Sequence, residues 1–152
     1  MFRLLTILYV FLCRTKDREI YEKDHLIHHL KFAIPFFRNF TKELITTLVE
    51  KLECSVFSPG VSLMDQGDIG DCMYIVYSGQ CGVYIFDKEQ KSDSPMASHR
   101  AVAIIGANTV IGEQAVVDKF DSGRRNATVL AHSEVVTLVL TKDDYQKILY
   151  QH

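Results

Sequence analysis

Hydrophobic residues recur about every four positions in the first third of the chain. They form two sets: Leu26, Leu30 and Ile34, followed by Leu44, Leu48 and Leu52. This spacing is typical of amphipathic helices, so we predict two helices within residues 17–53. Pro35 biases Ile34 away from helical backbone and should separate the two helices. Thr41 is placed to cap the second helix.

Beyond residue 53 the hydrophobic period falls to two. Turn residues arrive about every eight to ten positions, at Pro59-Gly60, Gly67, Gly70 and Ser78-Gly79. Short strands with regularly spaced turns are typical of an all-β sandwich or roll. The polar stretch Asp87–Arg100 cannot bury enough apolar surface to join a core, so we predict a mobile loop there. Near the end, Thr141 should cap a short helix in which Tyr145, Ile148 and Leu149 share a face.

These patterns divide the chain into an apolar N-terminal segment (1–16), an N-terminal helical bundle (17–53) and a β-roll (54–152). A length of 152 residues with 47% apolar residues fits one globular domain. The net charge of −2 comes from well-mixed charges, so we expect no nucleic-acid partner. The four cysteines have no C-x-x-C spacing, which argues against zinc and disulfide frameworks and favours reduced thiols in the cytoplasm.

The first segment, Met1–Cys13, is the one stretch that resembles targeting information. It is too short to span a bilayer, which takes about 20 apolar residues. As a signal peptide it has only Arg3 as a basic residue and lacks a small-residue cleavage site. We favour an apolar helix that packs on its own domain or on a partner. Secretion and a membrane-adjacent position in a larger protein stay open as alternatives.

A cluster of residues suited to anion binding lies between the middle and last strands. Gly112 permits close backbone approach, and a short helix beginning near Glu113 would aim free N–H groups at a phosphate. An arginine from the next strand can add a bidentate, charge-assisted contact. A carboxylate beside a phosphate is repulsive unless it faces a donor such as a ribose hydroxyl. The combination of sugar and phosphate predicts a nucleotide ligand.

Six stretches occur in one order along about three-quarters of the chain. They are Ile34-Pro35-Phe36-Phe37, Phe57-Ser58-Pro59-Gly60, Gln66 to Val76, Ser78-Gly79, Gly112-Glu113-Gln114-Ala115 and Arg125-Asn126-Ala127-Thr128-Val129. In these stretches the chain resembles the cyclic-nucleotide-binding domains of cyclic-nucleotide-dependent kinases, cyclic-nucleotide-gated channels and catabolite-activator-type regulators. The resemblance implies a mainly β fold with flanking helices: an eight-stranded, jelly-roll-like β-roll with N-terminal helices, a short phosphate-binding helix and a short C-terminal helix. It also implies a regulatory sensor of cAMP or cGMP, with no catalytic residues, no metal and no cofactor.

By the same resemblance, the ligand-binding residues take individual roles. Gly112 and Ala115 would supply backbone N–H groups to the phosphate, and Glu113 would accept from the ribose 2′-hydroxyl. Arg125 would pair with an exocyclic phosphate oxygen. Gln114 and Asn126 complete the predicted binding set. The glycines at 60, 67, 70 and 79 are expected to form turns without contacting the ligand.

Two departures from the family pattern affect this site. Residues 118–123 lengthen the distance from Glu113 to the arginine by about three residues, and we expect them to bulge outward as a polar loop. The doublet Arg124-Arg125 leaves two candidates for the phosphate ligand, and the family's R-x-A-T-V phasing selects Arg125. Arg124 should then face solvent or pair with the aspartates of the longer loop. Asn126 can donate and accept, so it does not distinguish cAMP from cGMP.

Other functions were weighed against the sensor. A degenerate roll that binds no nucleotide and contacts a protein partner, through the N-terminal helices for example, stays open. A cupin-like metalloenzyme would need a His and Glu ligand set that the strands lack. His25, His28 and His29 share part of a helix face, but no cysteine or carboxylate set joins them, so we predict no metal site. A helix-turn-helix regulator would need residues beyond those that the roll uses.

Overall fold

A computed structural model of the chain describes residues 20–86, 99–117 and 123–151. The predictions for Met1–Cys13, for most of the Asp87–Arg100 loop and for the aspartates of the 118–123 extension lie outside these ranges. Within them, the helices are too short or too polar to cross a membrane.

The two predicted N-terminal helices are present. Helix α1 spans Ile20–Ala33, a 3₁₀ turn covers Pro35–Phe37, and helix α2 spans Lys42–Val49. The backbone of Ile34 is extended (φ −111°, ψ 112°), as expected for a residue before proline. Thr41 is the N-cap of α2, since its Oγ1 accepts a hydrogen bond from the Leu44 N–H at 3.2 Å.

Eight strands follow and form the predicted roll. Their bounds are β1 Glu53–Phe57, β2 Ser62–Met64, β3 Cys72–Ser78, β4 Cys81–Phe86, β5 His99–Ile105, β6 Val110–Ile111, β7 Thr128–Ala131 and β8 Val135–Thr141. They pair antiparallel in two four-stranded sheets with the orders β1-β8-β3-β6 and β2-β7-β4-β5. The observed roll begins one residue before its predicted start, and β5 takes in the last two residues of the predicted loop.

The first sheet, β1-β8-β3-β6, has a hydrophobic core on each face. Met73 and Ile75 of β3 pack with Leu138 and with the N-terminal helices in one cluster. Val76 packs in a second cluster between the sheets. Successive strand residues point to opposite faces, so a strand that is apolar at nearly every position fits this double burial. The helices therefore cover the outside of the first sheet, and the space between the two sheets forms the inside of the roll.

Two short helices complete the molecule. Helix α3 spans Gln114–Val117 between β6 and β7, and helix α4 spans Lys142–Gln151 at the end. Thr141 caps α4, because its Oγ1 accepts from the Asp144 N–H at 3.1 Å and donates to Oδ2 of Asp144 at 2.9 Å. Tyr145 and Ile148 are buried as predicted, but Leu149 is 41% exposed and lies off the buried face. The helix thus packs a narrower apolar stripe than its sequence indicates.

The predicted turns are present except at one glycine. Gly60, Gly67 and Gly79 have positive φ angles and lie in turns. Gly70 has no positive φ, and it follows an isolated bridge between Ile69 and Arg124. Its N–H donates to the Gly123 carbonyl at 2.6 Å. The prediction that Gly70 is a turn former is therefore wrong, because its segment pairs with residues 123–125.

Candidate functional site

A cavity of about 400 Å³ opens between the second sheet and the segment around α3. This volume falls within the range of small-molecule pockets. All six predicted ligand-binding residues line it: Gly112, Glu113, Gln114, Ala115, Arg125 and Asn126. The residues that the sequence groups in two separate stretches are thus brought together around one space.

Arg125 is the charged residue of the cavity wall that is most buried, with an exposed fraction of 6%. Its Nη1 donates to the Gly112 carbonyl at 3.1 Å, and its Nη2 donates to the Cys72 carbonyl at 2.7 Å. The backbone is held as well, because the Arg125 N–H donates to the Asp68 carbonyl at 2.8 Å. Two of these contacts hold the guanidinium at the cavity wall, and the third holds the backbone of the same residue.

The charge of Arg125 has no carboxylate partner in the described ranges. Two salt bridges in these ranges join Lys23 to Glu50 and Lys147 to Asp143, and neither includes Arg125. Backbone carbonyls orient a guanidinium but do not neutralise it. A buried charge is costly unless it meets an opposite charge, so the site favours an anion.

The two titratable groups next to Arg125, Cys72 and Tyr74, do not supply that negative charge. Burial raises the pKa of the Cys72 thiol, and the nearby Tyr74 hydroxyl and Arg125 oppose this rise only in part. Burial also raises the pKa of Tyr74, helped by its hydrogen bond with Cys72. Both groups are therefore neutral at pH 7. An anion that enters the cavity meets no competing charge from them.

Arg124 takes a different position from its neighbour. It is exposed, and its Nη1 donates to the Gly67 carbonyl at 2.6 Å. Its side chain reaches the edge of the same cavity. The solvent-facing position agrees with the prediction, whereas the alternative pairing with aspartates concerns residues outside the described ranges. The strand phasing thus separates the two arginines as expected.

Glu113, Gln114 and Asn126 form the polar rim. Asn126 Nδ2 donates to Gln114 Oε1 at 2.8 Å. This hydrogen bond connects the segment before β7 to the first residue of α3 across the cavity. Glu113 is half-buried, and its carbonyl accepts from the N–H groups of Val116 and Val117. The N–H groups at the start of a helix have no partner inside the helix, which leaves Gln114 and Ala115 able to donate to a ligand. The rim therefore offers both donors and a carboxylate.

The apolar wall is the part of the site that sequence reasoning missed. It is formed by strand residues that pack in the cluster between the sheets, Met64, Val83, Ile105, Ile111 and Val129, with Thr109, Val110 and Ala127 beside them. Strand alternation is the signal that could have selected the first five, because their side chains lie on the inner faces of the roll. Among the described residues, no cluster of His, Cys, Asp or Glu could hold a metal ion.

Comparisons with known proteins agree with this architecture. A family model described as "Cyclic nucleotide-binding domain" matches residues 55–152. The cyclic nucleotide-gated channel alpha-4 of Mus musculus is 27% identical over 122 residues, which covers 78% of this chain and 20% of the channel. The chain thus spans about a fifth of the length of that relative.

Two solved structures share the fold. The regulatory domain of Toxoplasma gondii PKA, in co-crystal with cAMP, is 20% identical with a TM-score of 0.69, over 84% of this chain and 45% of that one. The regulatory subunit of a cAMP-independent protein kinase A from Trypanosoma cruzi, bound to guanosine, is 23% identical with a TM-score of 0.70. That match covers 86% of this chain and 43% of the other.

Proposed function

Because the chain belongs to the cyclic nucleotide-binding domain family, we propose that its cavity binds a cyclic nucleotide monophosphate and that the domain acts as a regulatory sensor. Members of this family regulate other domains and are not themselves catalytic, so we propose no reaction for it. The observation that carries the proposal is Arg125, a buried cation without a described carboxylate partner at the wall of a cavity of about 400 Å³.

The cavity residues support a particular arrangement of the ligand. The phosphate would lie against Arg125 and the N–H groups near Gly112 and Ala115, and Glu113 would accept from the ribose 2′-hydroxyl. The base would lie against the apolar wall that includes Val83 and Ile105. Asn126 already donates to Gln114, and it favours neither cAMP nor cGMP on chemical grounds.

A signal could leave the site through the C-terminal helix. Gln146 Nε2 of α4 donates to the Val116 carbonyl of α3 at 3.4 Å. A ligand that shifts α3 would therefore alter the position of α4, provided it binds the two arrangements with different affinity. A protein partner at the N-terminal helices and a cytoplasmic location both stay proposals.

Calorimetric titration with cAMP and with cGMP tests the proposed binding. The wild-type chain should release or take up heat with at least one of them. Arg125→Gln keeps N–H donors for the nearby carbonyls but removes the charge, so it should lose about 2–5 kcal/mol of binding free energy. The exposed neighbour gives the matched control, because Arg124→Ala should retain measurable binding.

The titration has two outcomes that would contradict the proposed binding. If the folded wild-type chain gives no heat with either nucleotide at millimolar concentration, the sensor proposal fails and the degenerate roll replaces it. Equal losses in Arg125→Gln and Arg124→Ala would instead show that Arg125 has no special role. Circular dichroism of each variant confirms that the comparison is made between folded proteins.

A further inference from the structure

The guanidinium of Arg125 lies in a slot between two glycines. A Cβ atom added at Gly70 would be 2.7 Å from Cζ and 2.8 Å from Nε of Arg125. On the other side, a Cβ at Gly112 would collide with Nη1 of the same residue. Carbon atoms in van der Waals contact lie about 3.5–4.0 Å apart, so neither side of the slot has room for a methyl group.

The two glycines differ in why they need to be glycine. Gly112 has a positive φ of 74°, which by itself favours glycine. Gly70 has no positive φ, so any residue could adopt its backbone conformation. A side chain at Gly70 is excluded only by lack of space. The atoms that fill this space belong to Arg125 and to Ala115, and the Cβ of Ala115 would be 2.7 Å from a Cβ added at Gly70.

Neither neighbour of Gly70 can move aside easily. The guanidinium of Arg125 donates hydrogen bonds to the Cys72 and Gly112 carbonyls, and the residue is buried. Ala115 belongs to α3 and is itself buried, with no rotatable side chain. A methyl group at position 70 would therefore displace the guanidinium from the position in which it donates to its two carbonyls.

We propose that Gly70 is a positioning residue for the anion site: its bare Cα sets the plane in which Arg125 faces the cavity. The residue acts through Arg125 and does not itself contact the ligand. The part that concerns ligand affinity rests on the proposed cyclic-nucleotide binding. The part that concerns the position of the guanidinium is measurable in the protein alone.

The binding test compares two substitutions of glycine by alanine. Gly106 has no positive φ, and the nearest atom to an added Cβ is the Gly79 carbonyl oxygen at 3.8 Å, an ordinary contact. Gly70→Ala should weaken cyclic-nucleotide binding in calorimetry about ten- to a hundredfold, the range for losing a hydrogen bond to a charged group. Gly106→Ala should bind as the wild type does. Equal affinities for Gly70→Ala and wild type would overturn the proposal.

A ligand-free measurement separates this proposal from the proposed function. In a ¹⁵N–¹H spectrum, the Nε–H signal that Arg125→Lys removes belongs to Arg125. This signal should shift in Gly70→Ala and stay in place in Gly106→Ala. If the wild-type chain binds no nucleotide, the sensor function fails while the shifted signal still establishes the positioning role. A signal that does not move in Gly70→Ala rules that role out.

A double-mutant cycle covers the case in which Gly70→Ala folds poorly. If the added methyl group destabilises the fold because Arg125 fills the slot, removing the Arg125 side chain should reduce this destabilisation. The loss in urea midpoint caused by Gly70→Ala should then be smaller in an Arg125→Ala background than in the wild type. A loss of the same size in both backgrounds would mean that the crowding comes from other atoms, and the proposal would be wrong.

Discussion

At the residue scale, His29 of α1 shows how one side chain connects the helices to the loop before β6. Its ring centroid is 5.2 Å from that of Tyr77 and 6.3 Å from that of His25. Its Nε2 and the Oδ1 of Asn108 are both buried and have no partner within hydrogen-bond geometry. Asn108 precedes Thr109, which lines the cavity. Helix α1 therefore contacts Asn108, which is adjacent in sequence to a residue that lines the candidate site.

The environment of His29 predicts a pH dependence of stability. Burial lowers the pKa of His29, and the charges of His25 and His28 lower it further, although the amide of Asn108 opposes this. The unfolded chain then binds more protons than the folded chain as pH falls below about 6.5. The free energy of unfolding should therefore be highest above that pH and should decrease as pH falls toward the lowered pKa.

Urea unfolding between pH 5 and pH 8 measures this slope. His29→Gln should make the free energy of unfolding less dependent on pH over the interval. The assignment to His29 fails if His29→Gln keeps the wild-type slope.

At the element scale, the turn that connects β3 of the first sheet to β4 of the second sheet depends on Gly79. This glycine has a φ of 95°, and a Cβ there would collide with the Glu134 carbonyl and lie 2.9 Å from the Cα of Val135. Gly60, in the turn after β1, has a similar φ of 84° but no atom within 4 Å of an added Cβ. The two turns thus share backbone strain and differ in crowding. The β3–β4 turn packs against the start of β8 at Gly79, whereas the space beside Gly60 is open.

Alanine substitutions at the two turns separate strain from crowding. Gly60→Ala should destabilise the fold by about 1–2 kcal/mol, the cost of left-handed backbone for a non-glycine residue. Gly79→Ala should add about 1–3 kcal/mol more, because the β8 backbone must move. Chemical denaturation measures both changes. Equal losses at the two positions would show that crowding against β8 has no energetic effect.

At the scale of the whole molecule, stability depends on the cluster that joins the helices to the first sheet. Leu138 of the central strand β8 is fully buried in this cluster, with α1, α2 and α4 around it. Ile104 of the edge strand β5 is 70% exposed. The same kind of substitution should therefore have very different effects at these two aliphatic residues.

Leu138→Ala should lower the free energy of unfolding by about 2–5 kcal/mol, since it leaves a cavity in a packed core. Ile104→Ala should change the free energy of unfolding by less than about 1 kcal/mol, because this side chain buries little apolar surface in the folded protein. Urea unfolding with an unchanged m-value measures both. Comparable losses would mean that the outer face of β5 is covered in solution.

How much of the fold could be predicted depends on how local each signal is. The two helices, their break at Pro35 and the cap at Thr41 depend on residues within a few positions of each other, and the structure confirms them. The six predicted binding residues were selected because two short stretches each carry a recognisable pattern, and all six line the cavity. Leu149 was assigned to the buried face of α4 because periodicity alone cannot tell how wide a helix contact is.

The sequence by itself determined the N-terminal helices and an all-β sandwich or roll, because hydrophobic period and turn residues act over short distances along the chain. The resemblance to a known family then implied the β-roll and the two stretches that meet at the cavity. Only the tertiary structure decided that Gly70 is a wall of the slot around Arg125 and not a turn. These residues are 55 positions apart, and their contact exists only once the 66–71 segment pairs with residues 123–125. The same holds for the apolar wall, since which strand faces meet across the roll depends on pairing between distant strands.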